Sequence, residues 1–338
     1  MTRQAPSKLY SDSIVVDACG AVAPFSFVDG VDPESYLQTY ADANVTFVLF
    51  TVVDDQPNSI EQTLKLLGKN RQFIQSKSEG FVLADRVEDV RKAKAAGKVA
   101  VGFAFQGSNA LLGELGLVEV YRRLGVVHML LAYNVANLAA DGCHESRNAG
   151  LSQFGRSLVA EMNRVGMIVD LTHVGLRSSL EAFELTSKPP IFSHSTPRKF
   201  AAHDRNITDE QIRACASKQG VICLNGIGTF MDGERHKATV SRLVDTIEYV
   251  AQLVGARHAG IGLDYMDPAL AARFLRANKA TYGGGNQYPA SGVVEFLQPT
   301  VLPEVTDELV RRRYSEQDVR GILGENYLRV LAANLHGH

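Results

Sequence analysis

Cysteine is scarce in this chain. Four thiols (Cys19, Cys143, Cys215, Cys223) are spread over 338 residues with no CxxC spacing. That excludes a disulfide framework and a zinc-ribbon type of fold, and it fits reduced thiols in a cytoplasmic protein. No apolar run approaches the ~18 residues that would suggest a transmembrane helix. The N-terminus, MTRQAPSKLYSDS, lacks the apolar core of a secretion signal, and LRVLAANLHGH at the other end offers no lipid-anchor tail. No membrane partner is therefore expected. Blocks of one charge are missing too: 35 Lys and Arg against 37 Asp and Glu give a net charge of −2. That balance argues against nucleic acid as the main partner. Finally, no GxGxxG follows the first apolar run, which weakens an open dinucleotide-binding sheet.

What the chain does contain is a repeated alternation. With 45% hydrophobic residues it can bury a large core. Eight short apolar runs, at 14–17, 45–53, 99–105, 126–132, 167–171, 190–193, 220–224 and 259–263, read as strands. They are apolar throughout rather than alternating, as in strands covered on both faces. Helical patterns lie between them: apolar spacing over 154–165, a capping box at Thr208-Asp-Glu-Gln211, and periodic stretches at 240–254 and 308–335. Eight βα units predict an α/β protein with a (β/α)8 TIM-type barrel, one domain over 1–338, carrying a long loop insertion after strand eight. That loop, 266–303, contains Tyr282-Gly-Gly-Gly285 and Tyr288-Pro289, and its length suits an active-site lid or a tolerated surface insertion.

In such barrels the active site is built where the strands end. The residues following the runs are Asp17-Ala-Cys19-Gly-Ala21, Gln106-Gly-Ser-Asn109, Tyr133-Asn134, Thr172-His173, Ser193-His194 and Asp264-Tyr265. His173 and His194, on adjacent strand ends, are candidates to chelate one divalent metal through neutral imidazoles. Such a metal would polarise a carbonyl or acidify a water, with Asp264 as the general base that takes the proton. Arg205, in the following loop, suits a substrate carboxylate; the bland alternative is a loop-bracing ion pair. Asn134 and Tyr265 are further substrate-contact candidates. Cys19 is a weak candidate ligand, its commoner role being a small packing residue. Gln106 is a poor ligand and a good hydrogen-bond partner. Asp17 reads as a structural acceptor, and the other three cysteines as packing residues.

These residues resemble the membrane (renal-type) dipeptidases, zinc peptidases of the amidohydrolase superfamily. The resemblance runs through GLSQFGRSLVAEMNRVGMIVDLTHVG (150–175), PIFSHSTPRKFAAHDRN (190–206), GIGLDYMD (260–267) and GENYLRVL (324–331). It implies a metal-dependent hydrolase of dipeptides, often dimeric, with metal ligands at His173 and His194, a substrate-binding arginine at Arg205 and an active-site aspartate at Asp264. The chain departs from the family where the first strand normally ends in D-G-H-x-D, since Cys19 and Ala21 replace the His and the Asp. Gln106 stands for the bridging Glu and Tyr133 for an active-site His. With no carboxylate bridge, a second metal is not expected. The resulting expectation is a mononuclear enzyme, with zinc as the expected ion, acting on a small carboxylated amide or dipeptide. Tyr133 would donate to the developing oxyanion. A lyase or isomerase reusing the pocket, with one metal or none, and a silent binding protein are the rival readings.

Overall fold

The apolar runs pair side by side as parallel strands. The computed structural model describes residues 6–26, 30, 32–56, 59–233, 235–267, 270–272 and 294–335. Its strands are β1 (Val16–Gly20), β2 (Phe47–Val53), β3 (Phe81–Leu83), β4 (Val99–Phe105), β5 (Val126–Leu130), β6 (Ile168–Asp170), β7 (Ile191–Ser195), β8 (Val221–Leu224) and β9 (Ala259–Ile261). The order runs β1-β2-β4-β5-β6-β7-β8-β9, every pairing parallel. All eight predicted strands are present. β3 is an addition that a three-residue segment was too short to announce; it pairs with the first half of β4, Phe81 opposite Val99.

The sheet rolls up until its two edges meet. Gly20 bridges Tyr265 in parallel register, and the Asp264 N–H donates to the Cys19 carbonyl at 2.9 Å. Asp17 reinforces that seam. Its Oδ1 accepts from the backbone of Leu263 at 2.8 Å and of Cys19 at 3.2 Å, the structural role expected of it. The result is a nearly closed (β/α)8-type barrel.

Strand residues of alternate orientation form two layers. Val48, Phe50, Val101, Phe103 and Val169 belong to the large cluster shared with the helices. Phe47, Leu49, Val127, Ile168, Ile191 and Val221 form a separate cluster, capped by Tyr327, Leu328 and Leu331 of the C-terminal helix. Burial on both faces is why these strands carry no polar alternation.

The helix signals act as expected at three places. Ser152 caps Gln153–Val165, which Gly166 ends at φ 73°. Thr208 and Gln211 form a reciprocal capping box on Asp209–Ser217. Val240–Val254 matches its predicted span. The stretch 308–335 does not form one helix. It is cut into Leu302–Arg311, Glu316–Arg320, a π-turn at Gly321–Glu325 and Asn326–Leu335. Arg313 turns the chain at φ 66°, and the Ser315 hydroxyl caps a new helix start. Most of the predicted 266–303 lid, residues 273–293 with both glycine and Tyr-Pro motifs, lies outside the described residues. Its last residues are ordered into the wall. The Leu297 N–H donates to the Gly226 carbonyl at 2.9 Å, and a helical turn begins at Pro299.

Candidate active site

Three of the predicted residues, Asn134, His173 and Asp264, have left-handed backbone, with φ of 61°, 64° and 55°. Asn, Asp and His tolerate that region better than most side chains. Unusual backbone of this kind tends to cluster at functional sites.

The two imidazoles meet. Nε2 of His173 lies 3.1 Å from Nε2 of His194. His173 Nδ1 is 2.7 Å from Asn134 Oδ1. Arg205 Nε donates to His173 Nε2 at 3.2 Å. The amide oxygen only accepts and the guanidinium only donates, so His173 carries its proton on Nδ1. His194 Nδ1 faces the Ser193 hydroxyl at 2.7 Å. Burial first, then the Arg205 charge, pushes both histidines well below the ordinary imidazole value. Both rings are therefore neutral, the form that binds metals. Tyr133 stacks on His173, centroids 3.9 Å apart at 25°.

Arg205 is not at an open rim. It is 1% exposed and sits beneath the rings. Nη2 donates to the His194 carbonyl at 2.5 Å and Nη1 to the Ser195 hydroxyl at 3.3 Å. The loop-bracing ion pair considered for this arginine is made by a neighbour instead, Arg198 with Asp204 at 3.1 Å.

On the other side of His194 lie Asp264 and Cys19. Asp264 Oδ2 is 3.9 Å from His194 Nε2, and Cys19 Sγ is 3.6 Å from Asp264 Oδ1. Burial pushes the Asp264 carboxyl up to about 7 against the lowering influence of Arg205. Burial also pushes the Cys19 thiol up, with Asp264 adding to the effect. Gln106, expected as a weak ligand through its carbonyl oxygen, instead turns Nε2 toward the sulfur at 3.6 Å and toward Thr51 Oγ1 at 3.1 Å. An amide N–H is a donor, so Gln106 is placed as a partner of Cys19 and not as a ligand. Tyr265 stands apart from these contacts. Its ring stacks on Tyr36 at 6.2 Å, and its carbonyl accepts from the Tyr36 hydroxyl at 2.8 Å.

These residues suit one divalent cation. Ligand atoms of Cys19, His194 and Asp264 lie within 4.8 Å of one another, a mixed S, N and O set that suits a borderline ion such as zinc. His173 adds a neutral nitrogen beside His194, though Arg205 engages that lone pair.

Residues 34–273 match the family described as membrane dipeptidase (peptidase family M19). The chain belongs to the membrane dipeptidase family. It is 28% identical over 275 residues to the dipeptidase tcpJ of Claviceps purpurea strain 20.1, covering 81% of this chain and 60% of that protein. It is 27% identical over 301 residues to the dipeptidase aclJ of Aspergillus oryzae, covering 88% and 65%. The chain thus spans about three fifths to two thirds of the length of these two relatives. Among solved structures it is similar to an amidohydrolase from Pseudomonas aeruginosa, with TM-score 0.86, 29% identity, and 99% and 100% of the two chains covered. A metallo peptidase from Rhodobacter sphaeroides, liganded with a phosphinate mimic of the dipeptide L-Ala-D-Ala, shares the fold at TM-score 0.76 and 18% identity, over 96% and 100% of the chains.

This dipeptidase-family barrel also uses residues the sequence reading passed over. Asp55 is the second residue after β2. Its Oδ1 accepts from the Asn109 N–H at 2.9 Å, and its Oδ2 from the Tyr133 N–H at 3.2 Å and Asn137 Nδ2 at 2.8 Å. It thereby ties the loops after β2, β4 and β5 behind the Tyr133 ring. The strand-end rule that found His173 and His194 finds Asp55 as well, once it is applied to the second run. Asp170 ends β6, with His128 Nδ1 at 3.0 Å. Burial alone would raise the Asp170 carboxyl, but the hydrogen bond from His128 holds it at about 2. No described helix is long and apolar enough to cross a membrane.

Proposed function

We propose that this chain is a dipeptidase-like hydrolase of small carboxylated amides, dipeptides among them, dependent on one divalent cation. The observation that carries the reading is the convergence of His194, Asp264 and the neutral His173 at one mouth of a membrane dipeptidase barrel. His194 and Asp264 would hold the cation, with His173 beside them. When bound, the ion supplies Lewis-acid polarisation of the scissile carbonyl.

The chain's own groups do the rest. Asp264 takes the proton of the attacking water and returns it to the leaving amine. Arg205 presents a fixed positive charge toward the substrate carboxylate, held by His173, His194 and Ser195. Tyr133, clamped against His173, is the neutral donor to the developing oxyanion. A second cation is not part of this reading. Ala21 offers no ligand atom, and Gln106 presents an N–H where a bridging carboxylate would be needed.

Elemental analysis of protein purified without chelator tests the proposal, with His173→Ala/His194→Ala as the control and a dipeptide panel assayed in parallel. About one ion per chain, lost in the control together with dipeptide turnover, is the expected result. Two ions per chain would overturn the mononuclear reading. None after soaking with zinc, manganese or cobalt would overturn the metal-dependent one.

A further inference from the structure

Asp264 is a partly buried carboxyl, its side chain 16% exposed, with a gap in its surroundings. Among the described residues, no N–H or O–H side-chain donor reaches either oxygen; the contact made is the Cys19 thiol at 3.6 Å. Carboxyls this far withdrawn from water normally gather stronger donors or a cation. On its far side Oδ2 faces Nε2 of His194 at 3.9 Å. In a tetrahedral zinc site with bonds of ~2.3 Å to sulfur and ~2.1 Å to nitrogen or oxygen, the S···O edge is ~3.6 Å and the N···O edge ~3.4 Å. The observed distances run to the two different oxygens of the carboxylate, and with one atom per residue the three ligands lie within 4.8 Å of one another, so binding an ion draws them together.

The remaining neighbours sort themselves accordingly. Arg205 Nε donates to His173 Nε2, and His194 Nε2 faces that same nitrogen at 3.1 Å, a contact that an ion bound to His194 replaces. Gln106 aims an N–H at the sulfur at 3.6 Å. A thiolate and a carboxylate together bring two negative charges to a dication. That compensates for the acidic ligands this sequence lacks at Ala21 and Gln106.

From this arrangement, which rests on the metal-dependent reading above, we propose that Cys19 is a metal ligand. The ion sits in a Cys19–His194–Asp264 site as a thiolate complex, with His173 kept as the anchor of Arg205. Binding breaks the S–H bond and forms the metal–sulfur bond. The proton leaves to solvent, and no oxidation state changes. The consequence is a preference for zinc, cobalt or cadmium over manganese or magnesium, because a soft donor replaces a hard one.

Cobalt-loaded and zinc-loaded full-length protein test this directly. The cobalt form is expected to show visible d–d bands together with a near-ultraviolet sulfur-to-cobalt charge-transfer band. Cys19→Ser is expected to lose the charge-transfer band and keep the d–d bands, whereas Cys143→Ser keeps both. X-ray absorption on the zinc-loaded wild-type chain needs no variant and should reveal a sulfur neighbour at ~2.3 Å. Bound metal with only nitrogen and oxygen neighbours, and no charge-transfer band, would overturn the role of Cys19 while leaving the metal-dependent hydrolase intact. Failure of the wild-type chain to bind either ion would overturn both.

Discussion

Nε2 of His173 and Nε2 of His194 face each other at 3.1 Å, yet the two rings are held by different partners. Asn134 fixes the first and Ser193 the second. Asn134→Ala removes the acceptor that keeps the His173 proton on Nδ1. Because His173 anchors Arg205 beside the ligand set, the loss should fall mainly on KM for carboxylated substrates, with metal affinity changed by less than about tenfold. Steady-state kinetics and competition with a chelating dye measure the two. A loss of metal affinity of ~10–100-fold would show that His173 is itself a ligand.

Asp264→Asn keeps the volume and removes the base. Turnover is expected to fall ~10²–10⁴-fold. Steady-state kinetics at saturating metal separates this loss from reduced metal occupancy, which titration of the same variant reports. Wild-type turnover in Asp264→Asn would end its catalytic role.

Arg205→Ala should raise KM and lower turnover for carboxylated substrates by ~2–4 kcal/mol in kcat/KM. Arg205→Lys should recover little of it, because a point charge cannot reproduce three separately aimed contacts. Esters or amides without the carboxylate should lose much less. An equal loss on both substrate classes would mean that Arg205 serves only to brace the histidines.

Asp55→Ala strips the acceptor from two backbone N–H groups and from Asn137. The unpaired donors should cost about 2–4 kcal/mol of stability in urea unfolding. Tyr133 should loosen at the same time, lowering turnover more than substrate affinity. A variant of full stability with altered turnover would point to direct contact with substrate.

Asp17 gives a pH signature. Burial pushes its carboxyl up to about 7 from an ordinary 3.8. The folded chain therefore holds a proton that the unfolded chain has released between those values. Asp17 favours folding fully below pH 3.8, and that contribution is lost as pH rises through about 7. Asp17→Asn keeps the acceptor oxygen for Leu263 and Cys19 and carries no proton to lose. Its thermal midpoint should therefore gain on the wild type as pH rises from about 4 to about 7, and level off above. Parallel curves for the two proteins would refute this.

Much of the architecture was legible in the residue order. Continuous apolar runs mark strands buried on both faces, and the capping box at Thr208 marks a helix start. Each is local physics, readable within a few residues. The break at Arg313 and Ser315 was missed because the apolar spacing continues across it, while a hydroxyl and a left-handed residue decide the backbone. The candidate site was legible as a set of strand ends, and Asp55 belonged to that same set. What the sequence alone determined was therefore the eight-unit barrel and the list of residues at its mouth. Only the tertiary structure decided which atoms meet and in what ionic form. Cys19 and Asp264 stand 245 positions apart and touch only because the first and last strands close the barrel. Arg205 goes under the histidines, and Gln106 turns a nitrogen to the sulfur, because packing and desolvation act between segments that no local pattern connects.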